Sequence, residues 1–175
     1  MSTKSFFSIT LPPLPTLLSK MPKPIFMPLG DNKNDYITVD GQIDWATIPA
    51  HHIGRQNCDM PIRVRVGDQS FGIKHIYEGH SKWLSKMKRT PEELIWEKLS
   101  LSGGNFYKGK KNRITMYVRL SPTCFLVLES QTDKGVKFYS VVSLYQKSPA
   151  KDEKPIATYE SAFANPLANK ALRRS

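Results

Sequence analysis

A chain of 175 residues with 39% apolar side chains can hold one packed domain with flanking tails. Its two cysteines, Cys58 and Cys124, exclude a disulfide scaffold, and no Cys or His spacing suggests structural zinc. The net charge of +11 points to a polyanionic partner, nucleic acid first, with an anionic membrane or an acidic protein as alternatives.

Residues 1–35 carry Pro12, Pro13, Pro15, Pro22, Pro24 and Pro28. Proline fixes φ and removes a donor, so this segment is expected to be an extended basic arm or linker. The apolar patches within residues 6–18 are broken by prolines and followed by no small-residue cleavage site, so they do not read as a signal peptide. No run of eighteen apolar residues occurs, so no membrane-spanning helix is expected.

Residues 36–150 are expected to form the domain proper. Residues 36–39 suit a short strand, and residues 61–66 alternate to put Ile62, Val64 and Val66 on one face. Residues 71–88 predict a helix with Ile73, Ile76, Tyr77, Leu84 and Met87 on one stripe. Thr90 caps a second helix, with Pro91 in its first turn and Glu92 and Glu93 at its positive end. Three strands follow, over 113–120, 124–129 and 136–145. The first sets Ile114, Met116, Val118 and Leu120 against Arg113, Thr115, Tyr117 and Arg119. The third sets Val136, Phe138, Val142 and Leu144 against Lys137, Tyr139, Ser143 and Tyr145. Short turns predict an antiparallel meander. The expected fold is α+β, with N-terminal helices packed on one face of an antiparallel β-meander sheet. Residues 151–175 form a polar, basic C-terminal tail.

The polar strand face and the first helix carry the chemistry. Cleaving RNA without a metal requires a base for the 2′-hydroxyl, an acid for the leaving 5′-oxygen and fixed positive charge for the phosphorane. His75 and His80 are the candidate base and acid, and Arg113, Lys110 and Lys111 the candidate phosphate clamp. Ser143 and Tyr145 are placed to bond a phosphate oxygen or orient a base. Lys108 opens the basic loop 108–113. Thr115, Tyr117, Arg119, Lys137 and Tyr139 interleave hydroxyls, aromatic rings and cations as stacked bases beside phosphates require. His80 also falls on the apolar stripe and has a second reading as a core histidine. Five residues set the two rings about 140° apart on a regular helix, so both serve one site only if Gly79 ends or bends it. His51 and His52 are adjacent, their side chains diverge, and the pair reads as structural.

His75-Ile76-Tyr77-Glu78-Gly79-His80, preceded by Phe71-Gly72, resembles the His-Ile-x-x-x-His helix of phage- and toxin-associated members of the barnase, EndoU, colicin D and RelE-like ribonuclease superfamily. Ser143-Leu144-Tyr145 is similar to the Ser/Thr-x-Tyr that ends a late strand in EndoU-type members. The resemblance spans roughly residues 60–146. It implies general acid/base work for His75 and His80 and a catalytic cation near Lys110, Lys111 or Arg113. Substrate ordering by Ser143 and Tyr145 follows from it too. EndoU-type sites draw their two histidines from separated segments, whereas here both lie within six residues. The resemblance further implies a toxin-type domain acting on RNA, tRNA favoured, in a bacterial cytoplasm. It also implies delivery into target cells and neutralisation by an acidic immunity protein. The reading is a metal-independent endoribonuclease without cofactors. Its rivals are a non-catalytic RNA-binding module and a basic protein that docks an acidic partner.

Overall fold

The computed structural model describes residues 23–118 and 123–161. Arg119 and the basic end of the C-terminal tail lie outside them. In chain order the elements are β1 (Phe26–Pro28), β2 (Tyr36–Val39), β3 (Asp44–Ile48), β4 (Met60–Arg65), α1 (Gly72–Met87) and α2 (Pro91–Leu99). They continue with β5 (Gly104–Lys108), β6 (Arg113–Val118), β7 (Cys124–Asp133), β8 (Val136–Tyr145) and β9 (Ala157–Tyr159). One sheet runs in the order β1-β2-β4-β8-β7-β6-β5-β9, with β3 also paired to β4.

This corrects the expected architecture. Four strands precede the helices, so the helices are not N-terminal, and the sheet is a nine-stranded mixed one rather than a small antiparallel meander. The meander β5-β6-β7-β8 is its antiparallel part. β4 then joins β8 in parallel, Ile62 opposite Tyr139 and Val64 opposite Val141. β2 falls on the strand expected over residues 36–39, whereas β1 and β3, of three and five residues, give too few alternations to signal themselves. A parallel pairing between residues 77 apart leaves no local trace at all. The sheet also reaches into both flanking segments: β1 pairs with β2, and β9 with β5.

The core is built from Trp45, Ile62, Val64, Ile76, Leu94, Leu99, Met116, Leu126, Leu128 and Leu144, all essentially buried. Helix α1 contributes Ile73, Ile76 and Leu84, while Tyr77 of the predicted stripe is exposed. At α2 the Thr90 hydroxyl accepts from the Glu93 amide, and the Glu93 carboxylate accepts from the Thr90 amide, a reciprocal cap. No helix among the described residues is long and apolar enough to cross a membrane.

Two local features place the site. The turn between β4 and α1 is closed by Gly67 and Gly72, both left-handed (φ 76° and 77°). A Cβ on Gly67 would fall 1.9 Å from the Phe71 carbonyl, and one on Gly72 2.8 Å from that of Arg65. Because β4 is parallel to β8, this turn starts α1 beside the second half of β8. The other feature is a bulge: Val127 opposes Ser143 but Leu128 opposes Val141, which leaves Val142 as an extra residue in β8. The bulge reverses the alternation. Phe138 and Ser140 therefore share a face with Ser143 and Tyr145, whereas Tyr139 turns into the core with Val141.

Candidate active site

Helix α1, the β5–β6 hairpin, the end of β8 and the segment after it enclose an open cleft of about 620 Å³. His75, Lys108, Lys110, Arg113, Thr115, Ser143 and Tyr145 all line it, together with Gly109, Phe125, Val127, Lys147 and Glu153. Seven of the residues singled out in the sequence therefore meet around one space. Four cationic side chains and one carboxylate surround it, which gives it an excess of positive charge.

The strand face is ordered in rows. Tyr117, Phe125 and Tyr145 oppose one another across β6, β7 and β8, and Thr115, Val127 and Ser143 form the next row. Phe125 packs against Tyr117 at 5.4 Å, Tyr145 at 6.0 Å and Tyr107 at 6.1 Å between ring centroids, forming an aromatic bank along the hydroxyl row. Arg113 is held through its Nε by Glu129 at 2.5 Å, which fixes the plane of its guanidinium at the cleft.

His75 stands in the first turns of α1, with Nδ1 2.7 Å from the Gln69 carbonyl. A carbonyl only accepts, so Nδ1 carries the proton and Nε2 is the nitrogen left for proton transfer. His80 does not line the cleft. Helix α1 is kinked there (φ −130°, ψ 17°), next to Gly79, and the His80 ring meets Trp83 edge-on at 6.2 Å. Burial lowers the His80 pKa below its usual value, and the charge of His75 lowers it further.

The remaining predicted residues lie elsewhere. Lys111 occupies a left-handed position (φ 57°) in the hairpin turn, exposed beside the cleft. Tyr117 is half-buried in the aromatic bank. Lys137 is exposed at the far end of β8, opposite Thr132, and Tyr139 is buried, so the bulge removes both from the face assigned to them. Arg119 lies outside the described residues.

Lys147 and Glu153 were not legible as site residues. They belong to a polar stretch without periodicity, and what returns it to the cleft is the pairing of β9 with β5. The Ile156 amide donates to Phe106 at 2.7 Å, and His52 bonds the Thr158 carbonyl, so this segment is tied at its end. Burial, and next the charge of Glu153, push the Tyr107 phenol above its usual pKa. Among the described residues no group of three or more His, Cys, Asp and Glu side chains is arranged to hold a metal ion.

No protein-family model, curated protein or solved structure matches this chain.

Proposed function

We propose that this chain is a metal-independent endoribonuclease that cuts RNA by attack of a 2′-hydroxyl on the adjacent phosphodiester. The carrying observation is that one cleft collects an oriented imidazole, a carboxylate, four cations and the hydroxyls of Thr115, Ser143 and Tyr145.

In that reaction the 2′-oxygen bonds to phosphorus as the bond to the 5′-oxygen breaks. A base removes the 2′ proton, and an acid protonates the departing 5′-oxygen, giving a 2′,3′-cyclic phosphate and a 5′-hydroxyl. Within the cleft the carboxylate of Glu153 suits the base and the Nε2 side of His75 the acid. His80, at the helix kink, stands outside the cleft lining and takes no proton-transfer role in this scheme. Lys108, Lys110, Arg113 and Lys147 offset the charge that gathers on the phosphorane, where fixed donors act most strongly. Tyr117 and Tyr145, half-buried against Phe125, offer ring surface to unpaired bases.

The resemblance to the barnase, EndoU, colicin D and RelE-like superfamily supports the same reaction. It adds tRNA as the favoured substrate and a bacterial cytoplasm reached as a toxin domain. The four cations would equally receive the acidic immunity protein that it implies.

The test is an end-labelled oligoribonucleotide and its copy carrying one 2′-deoxy residue at the cut position. Cleavage to a 2′,3′-cyclic phosphate in the first and none at that position in the second is the expected result. A cut at the 2′-deoxy residue rules the mechanism out. Binding of both without a cut transfers the reading to an RNA-binding module.

A further inference from the structure

The hydroxyl row of the cleft borders another row on the same sheet face. There Arg113 of β6 opposes Glu129 of β7, Glu129 opposes Ser140 of β8, and Ser140 opposes Arg63 of β4. Three inter-strand steps of about 4.8 Å place Arg63 about 14 Å from Arg113. Two residues on, Arg65 projects to the same side, and both guanidiniums lie over the rings of Tyr36 and Phe138 at 5.1–5.4 Å.

The hydrogen bonding of this cluster is incomplete. Arg63 bonds Asp44 through Nε at 2.6 Å. Arg65 has no carboxylate partner among the described residues: its terminal nitrogens reach Asn34 at 3.3 Å and the Tyr36 hydroxyl at 3.4 Å, both long. Its Nε is buried without a partner, and so is the hydroxyl of Ser140. Among the described residues three buried side-chain polar atoms lack a partner, and two of them stand on this face. Buried orphans are costly and few. Both can donate, and the two guanidiniums beside them carry a charge that favours an anionic acceptor, beyond the carboxylates of Asp44 on Arg63 and Asp133 on the Tyr36 hydroxyl.

We propose that Arg63 and Arg65 form a second phosphate subsite, which takes a backbone phosphate of the same RNA strand whose scissile phosphate lies in the cleft. It rests on the ribonuclease reading above. The cation–π contacts with Tyr36 and Phe138 hold the two guanidiniums over the same pair of rings, so that they are ordered before the strand arrives. The strand runs along the charged row from Arg113 to Arg63.

The test compares Arg65→Gln, Arg65→Lys and the unaltered chain by titration calorimetry against a 2′-O-methyl dinucleotide and a 2′-O-methyl decanucleotide. Neither ligand is cleaved, so binding is read apart from catalysis. Arg65→Gln should bind the decanucleotide roughly tenfold more weakly, with a salt slope reduced by about 0.7, while its dinucleotide affinity stays unchanged. Arg65→Lys keeps the charge and should recover part of the loss. An Arg65→Gln that binds the decanucleotide as well as the unaltered chain overturns the subsite and leaves the cleft untouched. Equal losses for both lengths also overturn it, since Arg65 would then act only by shaping the face. An unaltered chain that binds neither oligonucleotide overturns the subsite and the ribonuclease reading together.

Discussion

Replacing Tyr159 tests whether the C-terminal strand is part of the domain and of the cleft. The side chain is 2% exposed, meets Phe106 edge-on at 5.8 Å and donates its hydroxyl to the Leu99 carbonyl at 2.6 Å. Tyr159→Phe keeps the ring, and the Leu99 carbonyl still accepts from Ser161 at 2.9 Å, so the loss is one hydrogen bond, about 1 kcal/mol. Tyr159→Ala removes the ring and leaves a cavity beneath β9, with a cost of about 3–5 kcal/mol. For a domain of this size that lowers the melting temperature by roughly 6–20 °C, against roughly 2–4 °C for the phenylalanine. Ser161→Ala combined with Tyr159→Phe strips both donors from one buried carbonyl and should cost more than the sum of the two single changes. Thermal unfolding followed by circular dichroism reads the unaltered chain, the three single variants (Tyr159→Phe, Tyr159→Ala and Ser161→Ala) and the double variant. A Tyr159→Ala variant that melts within about 2 °C of the unaltered chain would show that β9 is not held by this ring. The return of Glu153 to the cleft would lose its basis with it.

Three further expectations follow from the turn before α1 and from the core. Gly72→Ala forces a side chain into a left-handed position 2.8 Å from the Arg65 carbonyl, costs at least about 1–2 kcal/mol, and displaces the turn that delivers His75. RNA cleavage should therefore fall at temperatures where the variant is still folded; full activity would disconnect the turn from the site. The Ser70 hydroxyl first, then the Ser70 amide and Lys33, hold the Asp68 carboxyl down at about 2, below its ordinary 3.8. The folded-state value is the lower one, so the stabilisation is complete above about pH 4 and is lost as pH falls toward 2. The urea midpoint of Asp68→Asn should lie below that of the unaltered chain at pH 7 and merge with it near pH 2; a gap independent of pH contradicts this. Burial pushes the Cys124 thiol up to about 11, so iodoacetamide should leave it unmodified in the native protein and label it in urea. Labelling of Cys124 at the rate of a free thiol in native buffer contradicts that burial.

Local chemistry was the legible part of the fold. Thr90, Pro91 and Glu93 announced a helix start, a short turn was expected between the last two strands, where Lys134 and Gly135 have positive φ, and the alternation of residues 113–118 gave β6 its correct faces. Long-range pairing was not legible. Nothing near residue 62 states that it lies beside residue 139, yet that parallel contact brings the start of α1 to the end of β8. The bulge at Val142 was equally silent, because its cause is the register against β7 rather than any residue type. It explains why Tyr139, read as polar-facing from strict alternation, packs in the core with Val141, while Phe138 and Ser140 lie on the opposite face, buried beneath Arg63 and Arg65. Within the cleft, residues on regular elements were found by pattern. Lys147 and Glu153 escaped because a loop has no period and only β9 fixes its course.

The central claim is that His75 works on RNA in a cleft that supplies its own positive charge. The direct measurement incubates the protein, and His75→Ala beside it, with total tRNA and ribosomal RNA in excess EDTA. The expected result is discrete fragments ending in 2′,3′-cyclic phosphate, formed roughly 10²–10⁴-fold more slowly by the variant while RNA affinity is retained. Intact RNA in both samples despite measurable binding, or equal cleavage by the two, contradicts it.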